Sequence, residues 1–146
     1  MRLRASLVCE DVRFEVGGKL TAVGIGARIE AEPGDGPLIV PRLAFLAVVG
    51  DLRGQGEVAY RHYVVPAGAH GHEPPPLSRE AHDPAQDEHT FVLALAPLVL
   101  DDGGWYECVL EVESEVARLR DQRRFEVRRG DLGGSPSPAL TSPPGG

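Results

Sequence analysis

The sequence predicts an all-β fold, an antiparallel β-sandwich of about seven or eight strands. Apolar residues recur at every second position and almost never with the 3.6 period of a helix. Turn signals such as Gly17-Gly18 and Asp101-Asp102-Gly103-Gly104 separate the alternating runs at intervals of roughly a dozen residues. At 146 residues, 42% apolar and 25% charged, the chain has the size and composition of one globular domain.

Leu3, Ala5, Leu7 and Cys9 alternate with Arg2, Arg4 and Ser6, which predicts a first strand with one wet face. Gly17-Gly18 lies between Val12–Val16 and Leu20–Ala31 and predicts a hairpin turn, since both glycines accept positive φ. Pro41–Leu52 is almost continuously apolar and suits a central strand covered on both faces. A further strand is expected from Glu57 to Val65. Residues 66–89 break the pattern, hold four of the five histidines, and read as a long loop insert.

Regularity returns at Thr90–Leu100, a strand ended by the Asp101–Gly104 turn. Tyr106, Cys108, Leu110 and Val112 then point one way, and Glu107, Glu111 and Glu113 the other. Arg118–Arg128 forms the last strand, with Phe125 and Val127 inward and Arg124, Glu126 and Arg128 outward. Ser114–Arg120 allows a helical turn capped by Ser114 or a tight Glu113–Glu115 turn; the tight turn is preferred. Residues 1–129 are thus expected as one β-sandwich domain. The Pro/Gly/Ser-rich tail, 130–146, cannot bury enough surface to order itself and is expected to be disordered.

The formal net charge of −7 argues against nucleic acid as a partner, because phosphate binding needs clustered positive charge. The longest apolar run, Phe91–Leu100, falls short of the about 17 residues that a membrane span requires. The apolar stretch after Arg2 and Arg4 ends at Glu10-Asp11, too soon for an export signal, so a cytoplasmic location is expected. Thiols stay reduced there, and Cys9 and Cys108 are expected as two buried thiols.

Asp102-Gly103-Gly104-Trp105-Tyr106-Glu107-Cys108 resembles the D-x-G-x-Y-x-C string that opens strand F of immunoglobulin domains. The resemblance implies a structural role for Asp102, Gly104, Tyr106 and Cys108, with the tyrosine hydroxyl bonding back to the upstream chain. No cysteine lies in Leu20–Ala31, where strand B is expected, and no tryptophan in Pro41–Leu52, where strand C is expected. An antibody-type domain is therefore not expected, but a sandwich with the same corner is. Leu7-Val8-Cys9-Glu10-Asp11-Val12-Arg13, Gly18-Lys19-Leu20, Val23-Gly24-Ile25 and Pro41-Arg42-Leu43 are similar to a family of small bacterial proteins. That family is known only as a domain of unknown function, and its members close with a Gly-x-Tyr strand and a charged strand. It implies a small cytoplasmic sandwich and no catalytic residues.

His70, His72, Glu73 and His82 are the candidate metal ligands, since imidazoles and a carboxylate suit zinc. On them rests an alternative reading, a metal-binding hydrolase or sensor. His62, on a strand with Val58, Tyr60 and Val64, reads as a hydrogen-bonded core or boundary histidine. Gly24-Ile25-Gly26 lacks the third glycine and the helix of a dinucleotide loop, and marks a bulge or close backbone approach. No nucleophile-elbow string is present, and Cys108 reads as an inert core thiol. Glu10-Asp11 and Asp101-Asp102 point to opposite faces of an extended chain and form no carboxylate dyad. Arg118, Arg120, Arg124 and Arg128 lie on the last strand. They serve either to protect an edge or to dock an acidic partner. The expectation is a non-catalytic protein-interaction module, with no enzyme activity and no cofactor, whose partner is another protein.

Overall fold

The computed structural model describes residues 1–80 and 85–131. His82 and the tail from residue 132 onward therefore lie outside the described residues. The described chain is all β, with twelve strands and no helix.

β1 (Arg2–Cys9), β6 (Leu43–Gly50) and β9 (His89–Leu95) form one antiparallel sheet in the order β1-β6-β9. The second sheet has five strands. β4 (Arg28–Ala31), β12 (Arg118–Arg129), β11 (Gly104–Glu113), β7 (Val58–Pro66) and β8 (Ser78–Glu80) follow one another in that order. β2 (Asp11–Phe14) and β3 (Leu20–Val23) form a hairpin across Gly17 and Gly18, whose φ values of 90° and 76° suit the turn that the glycine pair predicts. β5 (Leu38–Val40) pairs with β10 (Leu98–Leu100).

The strand count exceeds the expected seven or eight because two expected strands, Leu20–Ala31 and Thr90–Leu100, are each split, and two further strands form where none is expected: β5, just before Pro41, and β8, inside the segment 66–89 read as a loop insert. Val40 pairs with Leu98 and Leu43 with Leu95, so β5–β6 and β9–β10 are one ladder in one register. Pro41 and Pro97 interrupt it, because proline has no N–H to give to a ladder. The expected strand Leu20–Ala31 is split at Gly24, whose φ is 66°. β3 stays in the hairpin, while β4 crosses to the five-stranded sheet and pairs parallel with Glu126–Arg129. That pair departs from the all-antiparallel expectation.

The alternation expected for the first strand also fails. Leu3 pairs with Val49 and Ala5 with Val48, leaving Arg4 as an extra residue. Such a bulge reverses which side chains face inward. Leu3 and Val8 consequently meet the core, and Ala5, Leu7 and Cys9 take the outer face.

The two sheets share one core. Val8, Phe45, Val49 and Phe91 from the first meet Cys108, Leu110, Phe125 and Val127 from the second. Phe45 and Phe125 are fully buried, each stabilising the fold by about 1.5–3 kcal/mol through burial. On β11, Tyr106, Cys108, Leu110 and Val112 are all buried, and Phe125 and Val127 face inward as expected. β11 and β12 are joined by a tight turn. Ser114 Oγ accepts from the N–H of Val116 (3.3 Å) and Ala117 (3.0 Å), a cap-like arrangement that starts no helix.

Candidate functional site

At the entry to β11 the Tyr106 hydroxyl donates to the Asp102 carbonyl at 2.5 Å, tying the Asp101–Gly104 turn to the strand. Burial, together with the negative charges of Asp102 and Asp101, pushes the phenol above its ordinary pKa. Burial lifts the Cys108 thiol to about 12, so it stays protonated and un-nucleophilic at neutral pH. Cys9 is also raised, chiefly by burial, and both cysteines are free and buried.

His62 departs from its expectation. Its ring lies 4.6 Å from that of Phe45, edge to face, and neither ring nitrogen has a hydrogen-bond partner. Its strand brings it opposite Leu110, among side chains that offer no acceptor. Burial lowers its pKa to about 4, and it is neutral at pH 7.

Of the candidate metal ligands, His82 lies outside the described residues. His70, His72 and Glu73 are exposed. Among the described residues no three of His, Cys, Asp and Glu come close enough to hold an ion.

The last-strand arginines are brought together with acids. β12 runs beside β11 so that Arg124 faces Glu107, Arg120 faces Glu111 and Arg118 faces Glu113. The contacts are 3.2, 3.3 and 3.6 Å respectively. Arg128 lies 2.9 Å from Glu126, whose carboxyl is held below the usual range mainly by that hydrogen bond. Arg61 on β7 closes on Glu111 from the other side. The outer face of the five-stranded sheet is thus an interlocked ladder of opposite charges. Sequence reasoning saw the arginines, but their partners became visible only once the register of β11 against β12 was known.

No protein-family model matches the chain, and no curated protein matches it. No helix of the described residues is long and apolar enough to cross a membrane.

The other sheet presents the opposite chemistry, which the sequence did not expose as a surface. The register places Ala5, Leu7 and Cys9 of β1 beside Val48, Leu46 and Ala44 of β6, and these beside Thr90, Val92 and Ala94 of β9. None of the nine is charged, and Thr90 alone is polar. Cys9 and Ala44 are buried, while Leu7, Val48 and Val92 keep part of their surface in solvent. The two edges of this sheet also differ. β1 carries Arg2, Arg4 and the bulge. β9 has no acidic residue, lysine, arginine, proline or bulge, and no strand pairs with its outer edge among the described residues. Charge, proline and bulges are the usual guards of an edge strand.

Proposed function

We propose that the protein is a non-catalytic interaction module, an immunoglobulin-like sandwich of the cytoplasm that binds another protein along β9. The single observation that carries this is the uncharged outer face of β1-β6-β9 running out to an unguarded edge. A partner segment that adds a strand there gains backbone hydrogen bonds, and its alternate side chains extend the apolar face.

The fold part of the reading rests on strand order. With β1, β6 and β9 as strands A, B and E, and with β7, β11 and β12 as C, F and G, both sheets follow the immunoglobulin arrangement. Tyr106 then supplies the corner at the start of F. B and C move to β6 and β7, away from the segments 20–31 and 41–52 first expected to hold them. In that arrangement strand D lies beside E, and D is the strand missing beside β9 among the described residues. Membership of the small bacterial family of unknown function, suggested by the motifs quoted above, is part of the same proposal.

The experiment compares wild type with Val92→Lys, which sets a charge on the outer face beside the open edge. Both are used to capture proteins from a native lysate, with sedimentation velocity on the purified proteins in parallel. A partner held by wild type and released by Val92→Lys supports the proposal. Identical captures, or none, overturn it.

A further inference from the structure

A second recognition site lies at the end of the molecule where β11 begins. A cleft of about 480 Å³ opens between the end of β7, strand β10 and the Asp101–Gly104 turn. Val64, Pro66, Leu98, Val99 and Trp105 are among the residues that line it. Trp105 is the only tryptophan in the chain and is 50% exposed; Val99 is 56% exposed. Leaving an indole and a valine this far in water forgoes the stabilisation their burial provides. The volume is in the range of small-ligand sites.

Among the described residues, all the charge lining the cleft has one sign. Asp101 and Asp102 border it, and no described lysine, arginine or histidine does. Neither carboxylate forms an ion pair with a described residue, whereas the glutamates of β11 face arginines. The Tyr106 hydroxyl holds the Asp102 carbonyl, which fixes the turn bearing both acids relative to the indole. An exposed indole and two carboxylates lining one cleft with apolar walls suit a cation with a flat, weakly hydrated head and an apolar stem.

We propose that this cleft binds an arginine side chain presented by a segment of a partner protein. The guanidinium stacks on Trp105 and donates hydrogen bonds through its N–H groups to the Asp101 or Asp102 carboxylate. Its methylenes lie against Pro66 and Val99. Arginine fits better than lysine because its planar head both stacks and bridges a carboxylate with two parallel bonds. The site is separate from the β9 edge and stands whether or not that edge binds a strand.

Trp105 reports directly on the test, since no other indole contributes fluorescence. Purified full-length protein is titrated with N-acetyl-arginine amide, N-acetyl-lysine amide, N-acetyl-glutamate amide and free L-arginine. The capped arginine is expected to produce a saturable change, several-fold tighter than capped lysine, with no response to capped glutamate. Free arginine should bind more weakly than the capped form, because its own carboxylate meets Asp101 and Asp102. Raising salt from about 0.02 to 0.3 M should weaken binding several-fold, as screening of exposed charges requires. Asp101→Asn with Asp102→Asn leaves the backbone carbonyl for Tyr106 and should lower affinity at least tenfold with near-ultraviolet circular dichroism unchanged. An equal response to arginine and glutamate, free arginine binding as tightly as capped, or full affinity in the double variant overturns the proposal.

Discussion

On the five-stranded sheet Val109 is completely buried although it faces outward, because Tyr63 and Gln122 flank it and the Glu107–Arg124 and Arg61–Glu111–Arg120 groups close over it. On the three-stranded sheet the central Leu46 is buried, but Leu7 and Val92 on its two flanks and Val48 next to it have no long charged side chain in register beside them, and part of their surface stays wet. Long charged side chains can lay their stems across an apolar neighbour while keeping their heads in water. Alanine, valine and threonine cannot. One face is therefore covered by its own charged side chains, and the other leaves Leu7, Val48 and Val92 partly exposed.

The widest test of this contrast places the same charge under each surface. Val109→Glu should cost at least about 3 kcal/mol, because the new carboxylate has no water and no free partner. Val92→Glu should cost less than about 1 kcal/mol, since it reaches solvent. Urea midpoints of the two variants measure the difference, and equal costs would remove the distinction between covered and bare faces.

His62 sharpens the contrast from the inner side of the covered sheet. Its folded pKa of about 4 lies below the 6.5 of an unperturbed histidine. Between these values the unfolded chain binds a proton that the folded chain refuses. Stability is therefore full above pH 6.5 and falls as pH drops toward 4, by up to about 3 kcal/mol from this group. His62→Leu should flatten that part of the acid slope in thermal melts at pH 7 and pH 4.5. Parallel slopes for the two proteins would contradict it.

The charge ladder itself has a smaller effect. Glu111 faces both Arg61 and Arg120, and Glu111→Gln should cost about 1–2 kcal/mol in dilute buffer and clearly less in about 1 M salt. No salt dependence would mean that the ladder acts by packing alone. Smallest is the corner: Tyr106→Phe removes one hydrogen bond and should cost about 1 kcal/mol by chemical denaturation. A neutral result would assign the turn's position to the packing of Phe125, whose ring lies 5.9 Å from that of Tyr106.

Much of β11 and β12 was legible because period-2 alternation is a local property. Tyr106, Cys108, Leu110 and Val112 announce their face without reference to anything else. β1 was misread for the complementary reason. Its bulge at Arg4 exists only in pairing with β6, so a strand read alone cannot show that its inward and outward positions exchange. His62 was placed at the boundary but given a hydrogen bond, which depends on whether Phe45 or a polar group stands opposite. The prolines that interrupt the β5–β6 and β9–β10 ladder and the glycine that splits Leu20–Ala31 were visible as residues, yet their effect depended on the pairing around each one.

The sequence alone determined an all-β chain, the glycine hairpin, the tyrosine at the turn and the inward-facing thiol at residue 108. Each follows from spacing along a few neighbouring residues. Only the tertiary structure decided that Arg118, Arg120 and Arg124 meet glutamates, that Leu7 and Val92 flank Leu46 on one uncharged face, and that Asp101 and Asp102 border a cleft that Trp105 also lines. Register, sheet order and the meeting of distant turns set those juxtapositions, and none of the three is written in any single stretch of chain.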